Sequence, residues 1–177
     1  LFCGTGTFAS AVWAPRFERV ICVDKQHKQL EQWTPPKNVS TYQGDNAKLL
    51  TGLLVKYGAP DLVDLDAYGS PDALAKELIQ TCLTSKPLAI IGTDGSMTVR
   101  TRGSMNAVPQ SHGYGPGLSY AKFSIGMDGA AVRTFTLLRD WCAISHKRVA
   151  DFDAYVWRYM MYWAALIVPE DVTSDAS

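Results

Sequence analysis

The feature that most constrains the fold is a regular alternation of short apolar runs with segments of helical periodicity. The runs are rich in β-branched residues and end at polar or glycine-containing turns, as buried strands do. The segments between them carry apolar residues three and four positions apart, which indicates helices. This alternation is typical of an α/β fold with a parallel, doubly wound sheet. Strands are predicted at 1–3, 20–23, 39–43, 62–65 and 88–92.

The helical pattern and the last third of the chain complete this prediction. One helix start is well marked, because Ser70 fits the N-cap, Pro71 the first helical position and Asp72 the first turn. Residues 94–127 are rich in Gly, Ser, Asn and Pro, which favours a long functional loop or one that hides a short helix. Residues 149–168 favour one or two final strands, forming an antiparallel hairpin, and 169–177 a tail. Further helices are predicted at 7–13, 25–32, 47–57 and around 131–142.

Composition excludes several classes of protein. A chain of 177 residues fits one domain, and a hydrophobic content of 47% with 19% charged residues is too apolar for disorder. The 17 basic and 17 acidic side chains balance, which excludes a strongly basic protein that coats nucleic acid. No apolar run approaches the roughly 20 residues that cross a bilayer.

Cysteine usage and the chain start predict the cellular context. The four cysteines contain no CxxC pair and the three histidines share no zinc spacing with them, so we expect no metal site and reduced, mostly buried thiols in a cytoplasmic protein. We also expect no signal peptide. Because the sequence opens inside a predicted strand, we expect it to be a fragment.

Glycine and acidic residues follow the predicted strands where each one ends. Gly4 and Gly6 follow the first strand, where glycines let the backbone approach a ligand at a helix N-terminus; a plain tight turn explains them equally well. Asp24 ends the second strand, where a carboxylate can accept both hydroxyls of a ribose; the alternative is a solvated loop residue. Asp45 follows the third strand and fits either an acceptor for an adenine amine or the N-cap of the next helix.

The fourth predicted strand runs into the octapeptide Asp-Leu-Asp-Ala-Tyr-Gly-Ser-Pro at 64–71. Asp64 and Asp66 share one face of this strand, and a buried charge there is costly unless it is paired. An acid followed by the aromatic ring of Tyr68 suits a planar base with an exocyclic amine, which can hydrogen-bond to the acid while the ring stacks. The structural alternative is one capping acid and one exposed acid.

These residues, in this order, resemble the class I S-adenosylmethionine-dependent methyltransferases. The opening Phe-Cys-Gly-Thr-Gly-Thr-Phe at 2–8 is similar to the first motif of the nucleic-acid subset, Asp-x-Phe-x-Gly-x-Gly. The octapeptide at 64–71 resembles the Asp-Leu-Asp-Pro-Tyr/Phe-Gly-Ser-Pro signature of the tRNA (guanine-N2) dimethyltransferases, and the pair at 93–94 matches a Thr-Asp of that family. The resemblance covers about residues 1–95.

The resemblance implies a Rossmann-like methyltransferase sheet, mostly parallel with an antiparallel last strand, in one catalytic domain at 1–168. It implies S-adenosyl-L-methionine as the cofactor, tRNA as the partner and guanine N2 as the methylated amine, without a membrane. Asp66 would orient or deprotonate the amine, and Tyr68 would flank the base. The implied catalytic residues are Asp66, Tyr68 and Asp64. The implied cofactor residues are Phe2, Gly4, Gly6, Asp24, Lys25, Asp45, Asn46 and Asp66.

Substrate contacts are predicted after the fifth strand. Thr93 and Asp94 lie at its end, and Arg100 and Arg102 could reach phosphates, although a solvated loop explains the two arginines equally well. The chain departs from the family pattern at Ala67, which replaces a proline, and in the residues after Asp94.

Three other functions stay open on the sequence. They are a DNA or RNA adenine-N6 methyltransferase, a catalytically silent cofactor-binding scaffold, and a nicotinamide-dependent oxidoreductase. The last would carry a further glycine near position 9, where this chain has Ala9.

Overall fold

The computed structural model describes residues 5–25, 30–66, 70–82, 86–95, 127–157 and 160–170. Within these ranges strands and α-helices alternate as predicted from residue 39 to residue 144, and a π-helical turn at Ala9–Trp13 precedes the first strand. The predicted helix at 25–32 lies partly outside the described residues. The strands are β1 (Val20–Asp24), β2 (Val39–Gln43), β3 (Leu62–Asp66), β4 (Leu88–Asp94), β5 (Lys147–Trp157) and β6 (Met160–Pro169). The α-helices are α1 (Asn46–Tyr57), α2 (Asp72–Thr81) and α3 (Met127–Ile144).

The strands form two sheets. β1 and β2 pair in parallel, and a second sheet has the order β3-β4-β6-β5. β3 is parallel to β4, whereas β6 is antiparallel to both of its neighbours, so β6 alone runs against the other strands of this sheet. The predicted antiparallel hairpin and the predicted direction of the last strand are therefore confirmed. The single continuous sheet is not seen, because β1 and β3 are not paired within the described ranges.

The main core lies on one face of the larger sheet. Alternate residues of β3, Val63 and Leu65, are buried against α2 and α3, as the period of a strand requires. Leu78 of α2 and Leu138 of α3 are fully buried there, and each such side chain contributes about 1.5–3 kcal/mol by leaving water. A smaller cluster joins the π-helical turn to β1 and β2. Helical elements thus pack against both sheets.

A buried lysine ties the carboxyl end of α2 to β5. The ammonium of Lys147 donates to the carbonyls of Ile79 and Cys82, the latter at 2.7 Å. A cation suits the negative pole at the end of a helix, and these carbonyls have no partner within the helix. Cys82 and Cys142 are buried in the same core, and burial raises the pKa of Cys142 to about 11.

Three cysteines, Cys22, Cys82 and Cys142, are buried as predicted. Phe135 shares a helical spacing with the buried Leu138 and Cys142, which predicts a core position, but its side chain is 37% exposed. Phe135 packs against Phe152 of β5 at the rim of the core. The predicted strand at 1–3 and nearly all of the predicted loop at 94–127 lie outside the described residues. No helix in the described ranges combines the length and apolar character needed to cross a bilayer.

Candidate functional site

Acidic side chains lie at or just after the carboxyl ends of β1, β2, β3 and β4. Asp24 is the last residue of β1, Asp66 of β3 and Asp94 of β4, and Asp45 lies two residues after β2. Carboxyl ends of parallel strands meet at one edge of a sheet, and ligands of open α/β folds bind outside that edge. The topology therefore places Asp24 and Asp45 at the carboxyl edge of one sheet, and Asp66 and Asp94 at the carboxyl edge of the other.

Beside β1 and β2, the structure shows the capping role that the sequence allows for Asp45. Oδ1 of Asp45 accepts the backbone N–H of Ala47 at 3.0 Å, which makes Asp45 the N-cap of α1. Its Oδ2 lies 2.6 Å from Nζ of Lys25, and this hydrogen bond to the ammonium lowers the pKa of Asp45. Asp45 therefore caps a helix, and both of its carboxylate oxygens have partners.

Asn46, the neighbour of Asp45, carries a buried hydrogen-bond acceptor. Asn46 is 3% exposed, and its Oδ1 is buried without a hydrogen-bond partner among the described residues. An unsatisfied buried amide is costly, so such an atom is often satisfied by a ligand or a water. Asp24 is 9% exposed, and its backbone carbonyl accepts the N–H of Gly44 at 2.9 Å, which joins the end of β1 to the residue after β2.

The Gly6 turn is shaped by a tryptophan. Gly6 is buried with a φ of +75°, a conformation that strongly favours glycine. A Cβ at this position would lie 2.0 Å from Cδ2 of Trp33, whose indole N–H donates to Oγ of Ser10 at 3.0 Å. A glycine is thus required here by packing as well as by backbone conformation. Phe2 and Gly4 lie outside the described residues.

Asp64 and Asp66 share one face of β3 but have different surroundings. Asp66 is exposed at the strand end, whereas Asp64 is half-buried and accepts the indole N–H of Trp13 at 3.1 Å. Burial raises the pKa of Asp64, and the hydrogen bond from Trp13 opposes that rise. Asp66 is therefore the more accessible of the two acids, and Asp64 is the one held in place. Tyr68 lies outside the described residues.

Asp64→Asn is expected to stabilise the protein at neutral pH. The raised pKa means that the folded chain binds the Asp64 proton more tightly than the unfolded chain does. The free energy of unfolding therefore falls as pH rises from about 4 through the raised pKa. Asparagine keeps an acceptor for Trp13 and removes the half-buried charge. We expect a gain in Tm on the order of 2 °C at pH 7, after allowance for solvent screening, and none at pH 3.

The control for this variant is Asp61→Asn, which changes an exposed acid of the same segment that pairs with Lys86 at 2.7 Å. It is expected to give no gain in Tm at either pH. An equal gain at both pH values in Asp64→Asn would contradict burial as the cause.

The strand register places further polar residues beside Asp66. Asp66 of β3 is opposite Thr93 of β4, and Thr93 is opposite Tyr162 of β6. Thr93 and Asp94 are both buried, and Tyr162 is half-buried. The hairpin carries a run of aromatic residues at 155, 157, 159, 162 and 163, a pattern that favours core and sheet packing. Only the strand register shows that Tyr162 lies beside Thr93. Arg100 and Arg102 lie outside the described residues.

A cavity of about 410 Å³ lies between the two sheets, toward the amino ends of β1 and β3. Its lining includes Trp13, Val20 and Leu62, and Asp64 is the one carboxylate of the octapeptide that reaches it. Asp24, Asp45 and Asp66 do not line it, so this cavity is separate from the acidic edge. In the described ranges no three His, Cys, Asp or Glu side chains are grouped to hold a metal ion.

Several solved structures share this fold at low sequence identity. Magnesium protoporphyrin IX methyltransferase from Synechocystis PCC 6803, solved with bound S-adenosylhomocysteine, has a TM-score of 0.55 at 13% identity over 94% of this chain and 70% of its own. Trm1 from Pyrococcus horikoshii, in complex with S-adenosyl-L-methionine, has a TM-score of 0.53 at 14% identity over 86% of this chain and 44% of its own. The chain therefore shares its fold with a methyltransferase and with a protein solved in complex with S-adenosyl-L-methionine.

A third structure with the methyltransferase fold comes from Listeria monocytogenes and is described provisionally as an S-adenosylmethionine-dependent methyltransferase. Its TM-score is 0.53 at 13% identity, over 94% of this chain and 88% of its own. No protein-family model and no curated protein matches the sequence. The Synechocystis enzyme acts on a porphyrin, so the methyltransferase fold by itself does not set the methyl acceptor.

Proposed function

We propose that this chain is an S-adenosylmethionine-dependent methyltransferase that acts on an exocyclic amine of a nucleic-acid base, with guanine N2 of tRNA as the preferred acceptor. The observation that carries the proposal is the octapeptide at 64–71 within a methyltransferase fold, with Asp66 exposed at the carboxyl end of β3. The buried cysteines favour a cytoplasmic location.

The described residues fit the cofactor. The orphan acceptor Oδ1 of Asn46 suits an adenine amine, which needs a hydrogen-bond acceptor. Asp24, at the end of β1, would accept the two hydroxyls of the ribose. Lys25 would keep Asp45 ionised and in place as the cap of α1, which presents Asn46. When bound, S-adenosylmethionine supplies an activated methyl group on its sulfonium.

On the acceptor side the chain supplies orientation and a proton acceptor. The lone pair of an aromatic amine is delocalised into the ring, so the amine is a weak nucleophile. A hydrogen bond from its N–H to the Asp66 carboxylate would turn the amine toward the methyl group and strengthen it as a nucleophile, and Asp66 would take the proton that is lost. Asp64, held by Trp13, would support the shape of this edge.

Calorimetry with S-adenosylhomocysteine tests the cofactor half of the proposal, with NAD as the control ligand. The wild type is expected to bind S-adenosylhomocysteine and not NAD. Asp24→Ala is expected to weaken that binding about 100-fold, because two hydrogen bonds to a charged acceptor are lost. Asp61→Ala, which removes an exposed acid, is the matched control and is expected to leave the affinity unchanged. Unchanged affinity in Asp24→Ala would reject its ribose role.

Transfer of a labelled methyl group to tRNA, followed by nucleoside analysis, tests the acceptor half. N2-methylguanosine is the expected product. Detection of N6-methyladenosine in RNA or DNA instead would mean that the methyl acceptor is an adenine amine. Binding of S-adenosylhomocysteine without transfer to any nucleic acid would favour a silent scaffold domain, and selective binding of NAD would favour an oxidoreductase.

A further inference from the structure

Two cations rest on a pair of tyrosine rings at the surface of the molecule. Cζ of Arg19 lies 5.4 Å from the ring centre of Tyr57, and Nζ of Lys56 lies 5.1 Å from the same centre. Nζ of Lys56 is also 5.2 Å from the ring centre of Tyr42 and donates to its Oη at 2.7 Å. The two tyrosine hydroxyls lie 2.5 Å apart. Both cations are exposed, so the rings orient charges that face solvent.

A side-chain amide brings two further cations to this surface. Nδ2 of Asn38 donates to the carbonyls of Ala14 and Phe17, both at 2.8 Å. The turn that carries Lys37 therefore lies beside the turn that carries Arg16. Both of these cations are exposed.

The basic patch consists of four exposed side chains, Arg16, Arg19, Lys37 and Lys56. The N–H of Val20 donates to the carbonyl of Asn38 at 2.9 Å, which joins the segment with Arg19 to the segment with Lys37. Three segments meet here and hold the four cations with a single acid, Glu18; they are 14–22, 34–43 and 51–60. The patch is thus locally positive in a chain whose 17 basic and 17 acidic side chains balance.

Stability does not explain this concentration of charge. Contacts of exposed cations with aromatic rings contribute little, and like charges repel one another. A cluster of cations on one face is instead the electrostatic footprint of an anionic partner, above all of nucleic acid. Guanidinium and ammonium groups suit backbone phosphates, and tyrosine rings beside them offer a surface on which unpaired bases stack.

The basic patch lies at the opposite end of β1 from the acid proposed to hold the cofactor. Arg19 directly precedes β1 and Asp24 ends it, so at 3.3 Å per residue about 16 Å of strand separate them. A substrate that contacts both ends of β1 must therefore be larger than a single nucleotide. A folded RNA meets that requirement.

We infer that the basic patch is a docking surface for the phosphate backbone of an RNA substrate, outside the site of methyl transfer. The inference rests on the proposed function, because it gives a second contact to the nucleic acid that is proposed as the substrate. Phosphate contacts position a nucleic acid without reading its sequence. The patch should therefore increase the affinity for RNA and leave the chemistry at Asp66 unchanged.

The test compares two double variants of the whole chain, each of which removes two positive charges. The patch variant, Arg19→Gln with Lys56→Gln, changes the cations that rest on the tyrosine rings. The control variant, Arg139→Gln with Arg148→Gln, changes exposed cations of α3 and β5. At about 100 mM salt, the Kd for fluorescently labelled tRNA should rise about tenfold in the patch variant and stay within about twofold in the control variant.

The salt dependence of binding tests whether the patch meets phosphates. Each lost phosphate contact lowers the slope of log K against log salt by about 0.7–0.9, so the slope should fall by about 1.4–1.8 in the patch variant. The weakening should be similar for RNAs of unrelated sequence. An unchanged slope would overturn the inference.

A charge-preserving variant separates electrostatics from local packing. Arg19→Lys with Lys56→Arg keeps both positive charges, and a phosphate accepts hydrogen bonds from either cation. Its Kd for tRNA should stay within about threefold of the wild type. Equal weakening in this variant and in the patch variant would overturn the inference, because the patch would then act through packing.

Kinetics separate failure of the inference from failure of the proposed function. In the patch variant the KM for tRNA should rise about tenfold, while kcat and the Kd for S-adenosylhomocysteine stay within about twofold of the wild type. If the wild type binds tRNA but transfers no methyl group, the proposed function fails and the binding data alone decide the role of the patch. An unchanged Kd for tRNA in the patch variant, or loss of binding only to phosphatidylserine vesicles, would overturn the inference.

Discussion

Asp66→Asn is expected to lower the rate of methyl transfer at least about 1000-fold, in the range that loss of a positioned proton acceptor produces. Asparagine has nearly the same shape, so the change removes the charge and the capacity to take a proton. Asp66 is exposed at the end of β3, and substitutions at such positions usually change stability by less than about 0.5 kcal/mol. Single-turnover transfer to tRNA, measured beside the Kd for S-adenosylhomocysteine, checks this, and the Kd should stay within about threefold.

Asp153→Asn is the matched control for that experiment. Asp153 is an exposed acid on the same face of the same sheet, and its carboxylate accepts the adjacent N–H of Ala154 at 2.8 Å. It should transfer methyl groups at the wild-type rate. A rate within tenfold of the wild type in Asp66→Asn would mean that Asp66 is not the proton acceptor, and Asp64→Asn would then become the variant to assay for transfer.

Gly6→Ala is expected to destabilise the protein by about 3 kcal/mol. A left-handed backbone costs a residue with a Cβ about 1–2 kcal/mol, and overpacking adds about 1–3 kcal/mol. Both terms apply at Gly6, where φ is +75° and a Cβ would meet the Trp33 ring at 2.0 Å. Urea unfolding followed by tryptophan fluorescence and circular dichroism measures the loss.

Trp33→Ala separates the two costs of a side chain at Gly6. In the Trp33→Ala background the ring is gone, so Gly6→Ala should then cost only the backbone part, about 1–2 kcal/mol. Equal costs in both backgrounds would show that Trp33 does not contact this turn. The affinity for S-adenosylhomocysteine, measured in the wild type, the two single variants and the double variant, tests the cofactor role that the sequence predicts for Gly6. If the cofactor closely approaches the backbone at Gly6, Gly6→Ala should weaken binding even in the Trp33→Ala background.

The secondary structure could be predicted from sequence because it depends on local patterns. The Ser70-Pro71-Asp72 start of α2 and the β1 and β2 runs are where the pattern places them, since capping and strand periodicity act over a few residues. The choice of Asp45 as a cap could not be predicted, because an Asp before a helix suits a cap and a ligand contact equally well. The contact with Lys25 and the burial of Asn46 could not be predicted either, because both depend on how β1 lies beside β2.

What the sequence by itself determined is the order of strands and helices and the acids that end the parallel strands, because these follow from periodicity and from residues near one another in the chain. Only the tertiary structure decided which acids are held and which are accessible. Trp13 engages Asp64 across 51 positions, and Arg133 engages Asp72 across 61. Such pairings carry no local signal, since they depend on how elements distant in sequence pack against one another, and they give chemically similar acids different surroundings.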